Sequence, residues 1–170
     1  MINKPSVIAR GGLKFIVMDA PSQENAEEYA EELSAQGVVH LVRTCEGKYD
    51  DRIFENKGIK VHELYFTDGS APPRNKIIEW LELVKTTFFE GGSIKKVSEN
   101  TPSIAVHCLA GLGRAPVLVA IALMEAGLDQ NHAVSLIRKN RPGALNFYQI
   151  QFLNEYKRIG FFNKSCCTVF

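Results

Sequence analysis

A chain of 170 residues is long enough for one hydrophobic core and predicts a single domain. Hydrophobic residues make up 45% and charged residues 23%, which is typical of a globular protein, and the net charge of +1 gives no field that favours nucleic acid. The longest apolar run, residues 115–124, is too short to cross a bilayer, and the N-terminus lacks the apolar run of a signal peptide. We therefore expect a cytoplasmic chain whose cysteines are mostly reduced.

The first half of the chain alternates between strand and helix patterns. Residues 13–21 predict a strand, and residues 22–38 predict a helix with Ser22 as its N-cap. Two further strands are expected over residues 38–45 and 57–66. The second of these leads into a loop with the sequence TDGSAPP.

The second half continues this alternation. Residues 75–90 predict a helix that ends at Gly91-Gly92, and residues 103–108 predict a strand whose apolar middle indicates burial. Three more helices are predicted at residues 115–127, 129–140 and 148–158. This order predicts an α/β domain over residues 1–160, with a central, mostly parallel sheet flanked by helices on both faces. Residues 161–170 are expected to form a flexible tail.

Three reactive side chains stand at or just after the ends of predicted strands: Cys45, Asp68 and Cys108. In α/β sheets the ligand crevice lies outside the carboxyl ends of the strands. We therefore expect these three side chains to lie at one rim of the sheet.

The segment from Cys108 to Arg114, CLAGLGR, has the pattern of an anion-binding loop. Backbone N–H groups in a tight loop before a helix attract anions, and Gly111 and Gly113 permit backbone angles that a side chain would forbid. The planar guanidinium of Arg114 can bind two phosphate oxygens, and the same positive field favours the nucleophilic thiolate of Cys108. The alternative is a small buried cysteine beside glycine turns. The strand before the loop and the helix after it favour the functional interpretation.

Five segments resemble the PRL family, the phosphatases of regenerating liver or protein tyrosine phosphatase type IVA: AVHCLAGLGRAPVLVA, LVRTCEGKYD, DGSAPP, RPGALNFYQIQFL and CCTVF. The resemblance implies a Cys-phosphatase fold and a tyrosine or dual-specificity phosphatase that hydrolyses phosphomonoesters through a phosphocysteine. It makes Cys108 the nucleophile. The phosphate-binding residues would be Leu109, Ala110, Gly111, Leu112, Gly113 and Arg114. The resemblance implies no cofactor, and the scattered histidines indicate no metal site.

Asp68 is the candidate general acid, which would protonate the leaving oxygen and later activate water. It stands in a loop after a strand, and such loops often close over substrate. An ordinary Asp-Gly turn is the alternative interpretation. The chain departs from the family's double Asp here, because Thr67 occupies the first place and Ser70 resembles an extra residue.

Two positions imply slow turnover and redox regulation. Most Cys-phosphatases carry Ser or Thr after the loop arginine, whereas Ala115, as in the PRL family, cannot donate a hydrogen bond to the departing thiolate. By resemblance, Cys45 forms a reversible disulfide with Cys108, although a structural cysteine at a strand end remains the alternative.

Five other residues have candidate roles; those of Glu46, Tyr49 and Gln149 are implied by the resemblance, and for His107 the alternative is a role as a base. Glu46 and Tyr49 would lie beside the pocket, and Gln149 would lie near the attacking water. His107 is expected to hold the loop by hydrogen bonds, and Arg141 to contact a second anion. The alternative for Glu46 and Tyr49 is a solvated loop, and the alternative for Gln149 is a position on a helix surface.

The last four residues, from Cys167 to Phe170, fit a prenylation box whose final Phe favours geranylgeranyl. We expect a prenylated and methylated C-terminus that holds the protein on the inner leaflet of the plasma or endosomal membrane. Basic side chains near the tail are few, and stable anchoring usually needs a second signal, for which acylation of Cys166 is a candidate.

Two functions remain open for this sequence. The first is the phosphatase, whose substrates are phosphorylated proteins or phosphoinositides. The second, also implied by the resemblance, is a catalytically weak binding module that engages CNNM-type magnesium transport mediators through the same pocket. The family also implies a possible homotrimer.

Overall fold

The computed structural model describes residues 4–96 and 101–162. The prenylation box at Cys167 and most of the predicted tail lie outside the described residues. In chain order the elements are β1 (Ser6–Arg10), β2 (Leu13–Met18), α1 (Ala26–Ala35), β3 (Val38–Arg43), α2 (Arg52–Glu55), β4 (Lys60–Glu63), α3 (Arg74–Phe88), β5 (Phe89–Glu90), β6 (Ser93–Ile94), β7 (Ser103–His107), α4 (Arg114–Glu125), α5 (Gln130–Asn140) and α6 (Phe147–Glu155).

A five-stranded sheet in the order β1-β2-β7-β3-β4 forms the centre of the domain. Strand β7 lies in the middle and pairs in parallel with β2 and β3, and β4 pairs in parallel with β3. Only β1, at one edge, runs antiparallel in this sheet. The predicted mostly parallel α/β sheet is confirmed, and the carboxyl ends of its four parallel strands meet at one rim.

Alternating side chains on the strands divide the core into two layers. Phe15, Val17 and Val106 point to one face, where they pack with helices α3 to α6. Ile16 and Ala105 point to the other face, which helices α1 and α2 cover. The period-two alternation of a strand places successive side chains on opposite faces, so both faces of the sheet are buried.

The predicted elements differ from the structure mainly at their ends. Helix α1 begins at Ala26 with Asn25 as its N-cap residue, so the prediction of Ser22 was wrong. The backbone N–H of Ser22 instead donates to the side-chain oxygen of Asn25 (2.8 Å). Helix α3 ends at Phe88, and Gly91-Gly92 forms the turn of the short β5–β6 hairpin instead of ending the helix.

Four elements were not expected: β1, α2, β5 and β6. In β1 only one residue, Ile8, is buried, which leaves almost no alternating pattern to detect. Gly11 and Gly12 both have positive φ and join β1 to β2 as a tight hairpin, so the Gly-Gly pair was the available signal. Among the described residues, no helix has the length and apolar character needed to span a membrane.

Candidate active site

The loop from Cys108 to Arg114 follows the central strand β7 and leads directly into α4. Cys108 is buried, with 3% of its surface exposed. Gly111 has a φ of +66°, and a Cβ atom there would lie 2.4 Å from the carbonyl oxygen of Met18. Position 111 therefore requires glycine both for its backbone angle and for the space that the neighbouring strand leaves.

Four consecutive carbonyl groups of this loop accept hydrogen bonds from outside it. The Leu109 carbonyl accepts from the N–H of Ala20 (3.0 Å), and the Leu112 carbonyl accepts from the N–H of Leu145 (2.7 Å). The two carbonyls between them accept from a buried arginine, Arg141. Because C=O and N–H point in opposite directions across a trans peptide, the next four amides point into the loop. These amides belong to Ala110, Gly111, Leu112 and Gly113.

Arg141 ties the outside of the loop to the first strand. Its Nε donates to the Gly111 carbonyl (3.1 Å), and one terminal nitrogen donates to the Ala110 carbonyl (3.0 Å). The other terminal nitrogen donates to the Lys4 carbonyl (3.1 Å). The prediction of a second anion contact is therefore replaced by a positioning role, because these bonds already occupy the guanidinium.

Arg114 lies at the other side of the loop and joins the ends of two strands. Its Nη1 donates to the carbonyls of Thr44 (3.1 Å) and Phe66 (3.3 Å). These bonds orient the guanidinium toward the mouth of the loop, and 6% of the residue's surface is exposed. A buried guanidinium held in this way can contact an oxyanion without further side-chain ordering.

Two buried side-chain nitrogens lack a hydrogen-bond partner in the part of the chain that the structure describes: Nε of Arg114 and Nε2 of Gln149. Gln149 does not lie on a helix surface, because 2% of it is exposed and its Nε2 lies 2.9 Å from where a Cβ on Gly113 would stand. Its oxygen accepts from the N–H of Asn146 (3.0 Å), which directs the amide nitrogen toward the loop. Unsatisfied buried donors are costly, so two of them beside one loop indicate a ligand that accepts hydrogen bonds there.

Asp68 lies on the loop after β4 and faces the same guanidinium. Its Oδ1 is 3.2 Å from Nε of Arg114, which is within ion-pair range, although the alignment is too poor for a hydrogen bond. The carboxylate is 72% exposed and also accepts from the N–H of Gly69 (3.1 Å). The Ser70 hydroxyl donates to the Thr67 carbonyl (2.7 Å), so the extra residue is accommodated within the turn.

His107 connects the loop to Cys45 beneath the site. Its Nε2 lies 2.7 Å from the Tyr49 hydroxyl, and its Nδ1 lies 3.9 Å from Sγ of Cys45. Burial lowers the pKa of His107 to about 4 and raises the pKa of the Cys45 thiol. A neutral imidazole held on both nitrogens supports the expectation that His107 positions the loop.

The structure therefore brings most of the predicted site residues to one rim of the sheet. Asp68, Gly113 and Gln149 line a cleft of about 340 Å³, together with Leu112 and Asn146. Tyr49 is buried against the ring of His107, whereas Glu46 is exposed. The sequence did not predict the hydrogen bonds that the loop carbonyls accept from outside the loop. It also did not predict the role of Asp19, which follows β2 directly, is buried, and accepts a hydrogen bond from the Tyr29 hydroxyl (2.5 Å).

Comparison with known proteins matches this site to one enzyme class. The domain family described as dual specificity phosphatase, catalytic domain, matches residues 20–159. A probable protein tyrosine phosphatase type IVA A from Dictyostelium discoideum is 41% identical over 98% of this chain and 94% of its own. A PRL-1 phosphatase from Drosophila melanogaster is 43% identical over 90% of this chain and 82% of its own.

Solved structures give the same result. A structure described as a putative protein tyrosine phosphatase from Leishmania major superposes with a TM-score of 0.76 at 36% identity. It covers 92% of this chain and all of the other. The similarity therefore extends over the sheet, the loop and the surrounding helices.

Proposed function

Because the chain belongs to the protein tyrosine phosphatase type IVA (PRL) family and is a protein tyrosine phosphatase, we propose that it hydrolyses phosphomonoesters of phosphoproteins through a phosphocysteine at Cys108. One observation links this activity to particular residues, namely the hydrogen-bond donors that surround the Cys108 loop. Four loop amides point inward, and the two buried side-chain nitrogens that lack a hydrogen bond among the described residues, Arg114 Nε and Gln149 Nε2, lie beside them. A phosphoryl group supplies the acceptor oxygens that such donors lack.

In the first step the thiolate of Cys108 attacks phosphorus, and the bond between phosphorus and the leaving oxygen breaks. Asp68 gives its proton to that oxygen, so the alcohol or phenol departs neutral. The inward amides and Arg114 stabilise the charge on the non-bridging oxygens throughout the transfer. Asp68 borders the cleft and faces Arg114, which is consistent with this role.

In the second step water attacks the phosphocysteine, Asp68 takes the proton from that water, and the sulfur leaves as thiolate. Gln149 borders the cleft with a free amide nitrogen and is proposed to orient this water. Ala115, the second residue of α4, is fully buried and offers no hydroxyl to the departing sulfur. We propose that this step is slow and limits turnover.

The decisive experiment compares Cys108→Ser with Cys45→Ser on a phosphotyrosine peptide under reducing conditions. We expect Cys108→Ser to abolish phosphate release and Cys45→Ser to retain it, because only the first removes the nucleophile. Retained hydrolysis in Cys108→Ser would contradict the assignment. The family and domain matches do not favour the alternative of a catalytically weak binding module.

Redox regulation through Cys45 and Cys108 is a second part of the proposal. Both thiols are free, and Cys45 stands two residues after β3, the parallel neighbour of the strand that ends before Cys108. A resolving cysteine nearby protects a reactive thiolate from irreversible oxidation. Mild peroxide should give a Cys45–Cys108 peptide in mass spectrometry. Sulfinic acid on Cys108 with no such peptide would exclude the pair.

We also propose that prenylation of Cys167 places the protein on the inner leaflet of the plasma or endosomal membrane, where it could meet CNNM-type partners or trimerise. One buried lipid chain contributes about 0.8 kcal/mol per methylene, and this marginal anchoring leaves room for a second signal. The test compares the membrane fraction of the full chain with that of Cys167→Ser. An unchanged fraction would refute the anchor.

A further inference from the structure

Two adjacent aromatic side chains, Phe147 and Tyr148, are largely exposed to solvent. They are 74% and 73% exposed, and their rings meet edge to face with centroids 5.7 Å apart. They are the first two residues of α6. A polar side chain would serve equally well at such helix positions, so folding alone does not account for two exposed rings.

The pair is rigidly placed beside the catalytic cleft. Asn146 precedes it and Gln149 follows it, and both of these residues line the cleft with Asp68. The two flanking residues also form a reciprocal capping box, in which Gln149 N–H donates to Asn146 Oδ1 (2.9 Å) and Asn146 N–H donates to Gln149 Oε1 (3.0 Å). The backbone under the aromatic pair is therefore fixed on both sides.

Two other exposed apolar side chains belong to the same site: Leu112 lines the same cleft, and Leu109 belongs to the Cys108 loop. Among the described residues, six large hydrophobic side chains are exposed, and the remaining two are Tyr65 and Val7. Exposed apolar side chains that gather at one place mark an interaction surface.

We propose that Phe147 and Tyr148 form a docking surface for an apolar or aromatic side chain that flanks the phosphorylated residue of a protein substrate. The proposal rests on the proposed phosphatase function. The surface is continuous with the cleft through Asn146 and Gln149, so a flanking residue reaches it while the phosphate is bound. The charges at the cleft do not favour an acidic flanking residue, because the cleft is lined by the acid Asp68 and Arg141 is committed to backbone carbonyls.

The test uses two phosphotyrosine peptides that differ only in having leucine or serine beside the phosphotyrosine, together with a small aryl phosphate. In Phe147→Ala/Tyr148→Ala, we expect the ratio of kcat/KM for the leucine peptide to that for the aryl phosphate to fall about tenfold, mainly through KM. The serine peptide should change far less. Val7→Ala is the matched control, since it removes an exposed apolar side chain that does not line the cleft.

The opposing outcomes are distinct. An equal loss on all three substrates would show a structural role and overturn the proposal, as would an unchanged ratio. Loss of binding to phosphatidylserine vesicles with unchanged peptide kinetics would assign the pair to a lipid surface instead. Failure of the unmodified protein to hydrolyse even the aryl phosphate would refute the phosphatase mechanism itself, independently of the docking surface.

Discussion

The carboxylate of Asp68 lies 3.2 Å from Nε of Arg114. The proposed general acid therefore forms an ion pair with the proposed phosphate-binding arginine before any substrate is bound. A phosphoryl group entering the loop must take the place of this carboxylate on the guanidinium. The displaced Asp68 side chain would then stand at the rim of the cleft, where the leaving oxygen emerges, and there it has to bind a proton from solvent before it can act as the acid. Binding of the substrate therefore also positions the acid, because the phosphoryl group replaces Asp68 as the partner of Arg114.

This exchange predicts opposite effects of Asp68→Asn on catalysis and on anion binding. Loss of the acid should lower kcat on a phosphotyrosine peptide about 100-fold or more. Removing the negative charge should strengthen binding of inorganic phosphate, because nothing charged competes for Arg114. Both quantities come from steady-state kinetics with phosphate as a competitive inhibitor. A weaker affinity for phosphate would contradict the exchange.

Ala115→Ser should increase steady-state turnover on a small aryl phosphate. Ala115 is fully buried beside the guanidinium-bearing residue at the start of α4, where a hydroxyl could stabilise the departing thiolate. A donor aimed at developing charge can contribute about 100-fold in kcat, so a gain approaching tenfold is a modest expectation. Ala115→Gly is the control, since it changes side-chain volume without supplying a donor. No gain in the serine variant would show that another step limits turnover.

Arg141→Lys tests the outward hydrogen bonds that hold the loop open. A lysine keeps the charge but cannot reach the carbonyls of Ala110, Gly111 and Lys4 together, as the guanidinium does. We expect kcat/KM to fall about tenfold or more, and urea unfolding to show a loss on the order of 2 kcal/mol. Arg158→Lys is the control, because its guanidinium donates to the Gly127 carbonyl, which is not part of the loop. Equal losses of activity in both variants would argue against a specific role for Arg141.

His107 is expected to make the free energy of unfolding decrease as the pH falls. Its pKa is lowered from 6.5 to about 4, mainly by burial and in addition by the positive charges of Arg43 and Arg114. Between pH 6.5 and about 4, His107 is protonated in the unfolded chain but remains neutral in the folded chain. The stabilising effect of the neutral ring is therefore complete above pH 6.5 and is lost as pH falls toward 4.

The expected loss from His107 is on the order of 3 kcal/mol over this range. His40 and His62, whose pKa values are also lowered by burial, add to the same trend. The difference between the protein and His107→Gln in urea unfolding isolates the contribution of His107. If both show the same slope with pH, the buried ring is not the cause.

Strong local patterns made much of this fold predictable. The strand before Cys108 has an apolar middle, as expected for β7 with both faces covered, and α4 is apolar from Ala115 to Met124, as expected for a helix buried on every side. Strand β1 escaped prediction because it is an edge strand with one buried residue. The Ser22 cap failed because Asn25 lies nearer the first turn and its side chain binds Ser22 instead.

The chemistry of the site was predictable to the level of residue types but not of contacts. The spacing from Cys108 to Arg114 indicates an anion loop. Sequence could not reveal that Arg141, far along the chain, turns the loop carbonyls outward, because that contact depends on tertiary packing. For the same reason Gln149 could be taken for a surface residue, although it is buried against Gly113.

The most direct test of the account is to trap the covalent intermediate. The protein is mixed with excess phosphotyrosine peptide, quenched in acid within one turnover and digested for mass spectrometry. We predict that the peptide containing Cys108 gains the mass of one phosphoryl group in a large fraction of molecules, and that Ala115→Ser lowers this fraction. Release of phosphate from the substrate without any phosphoryl group on Cys108 would contradict the account.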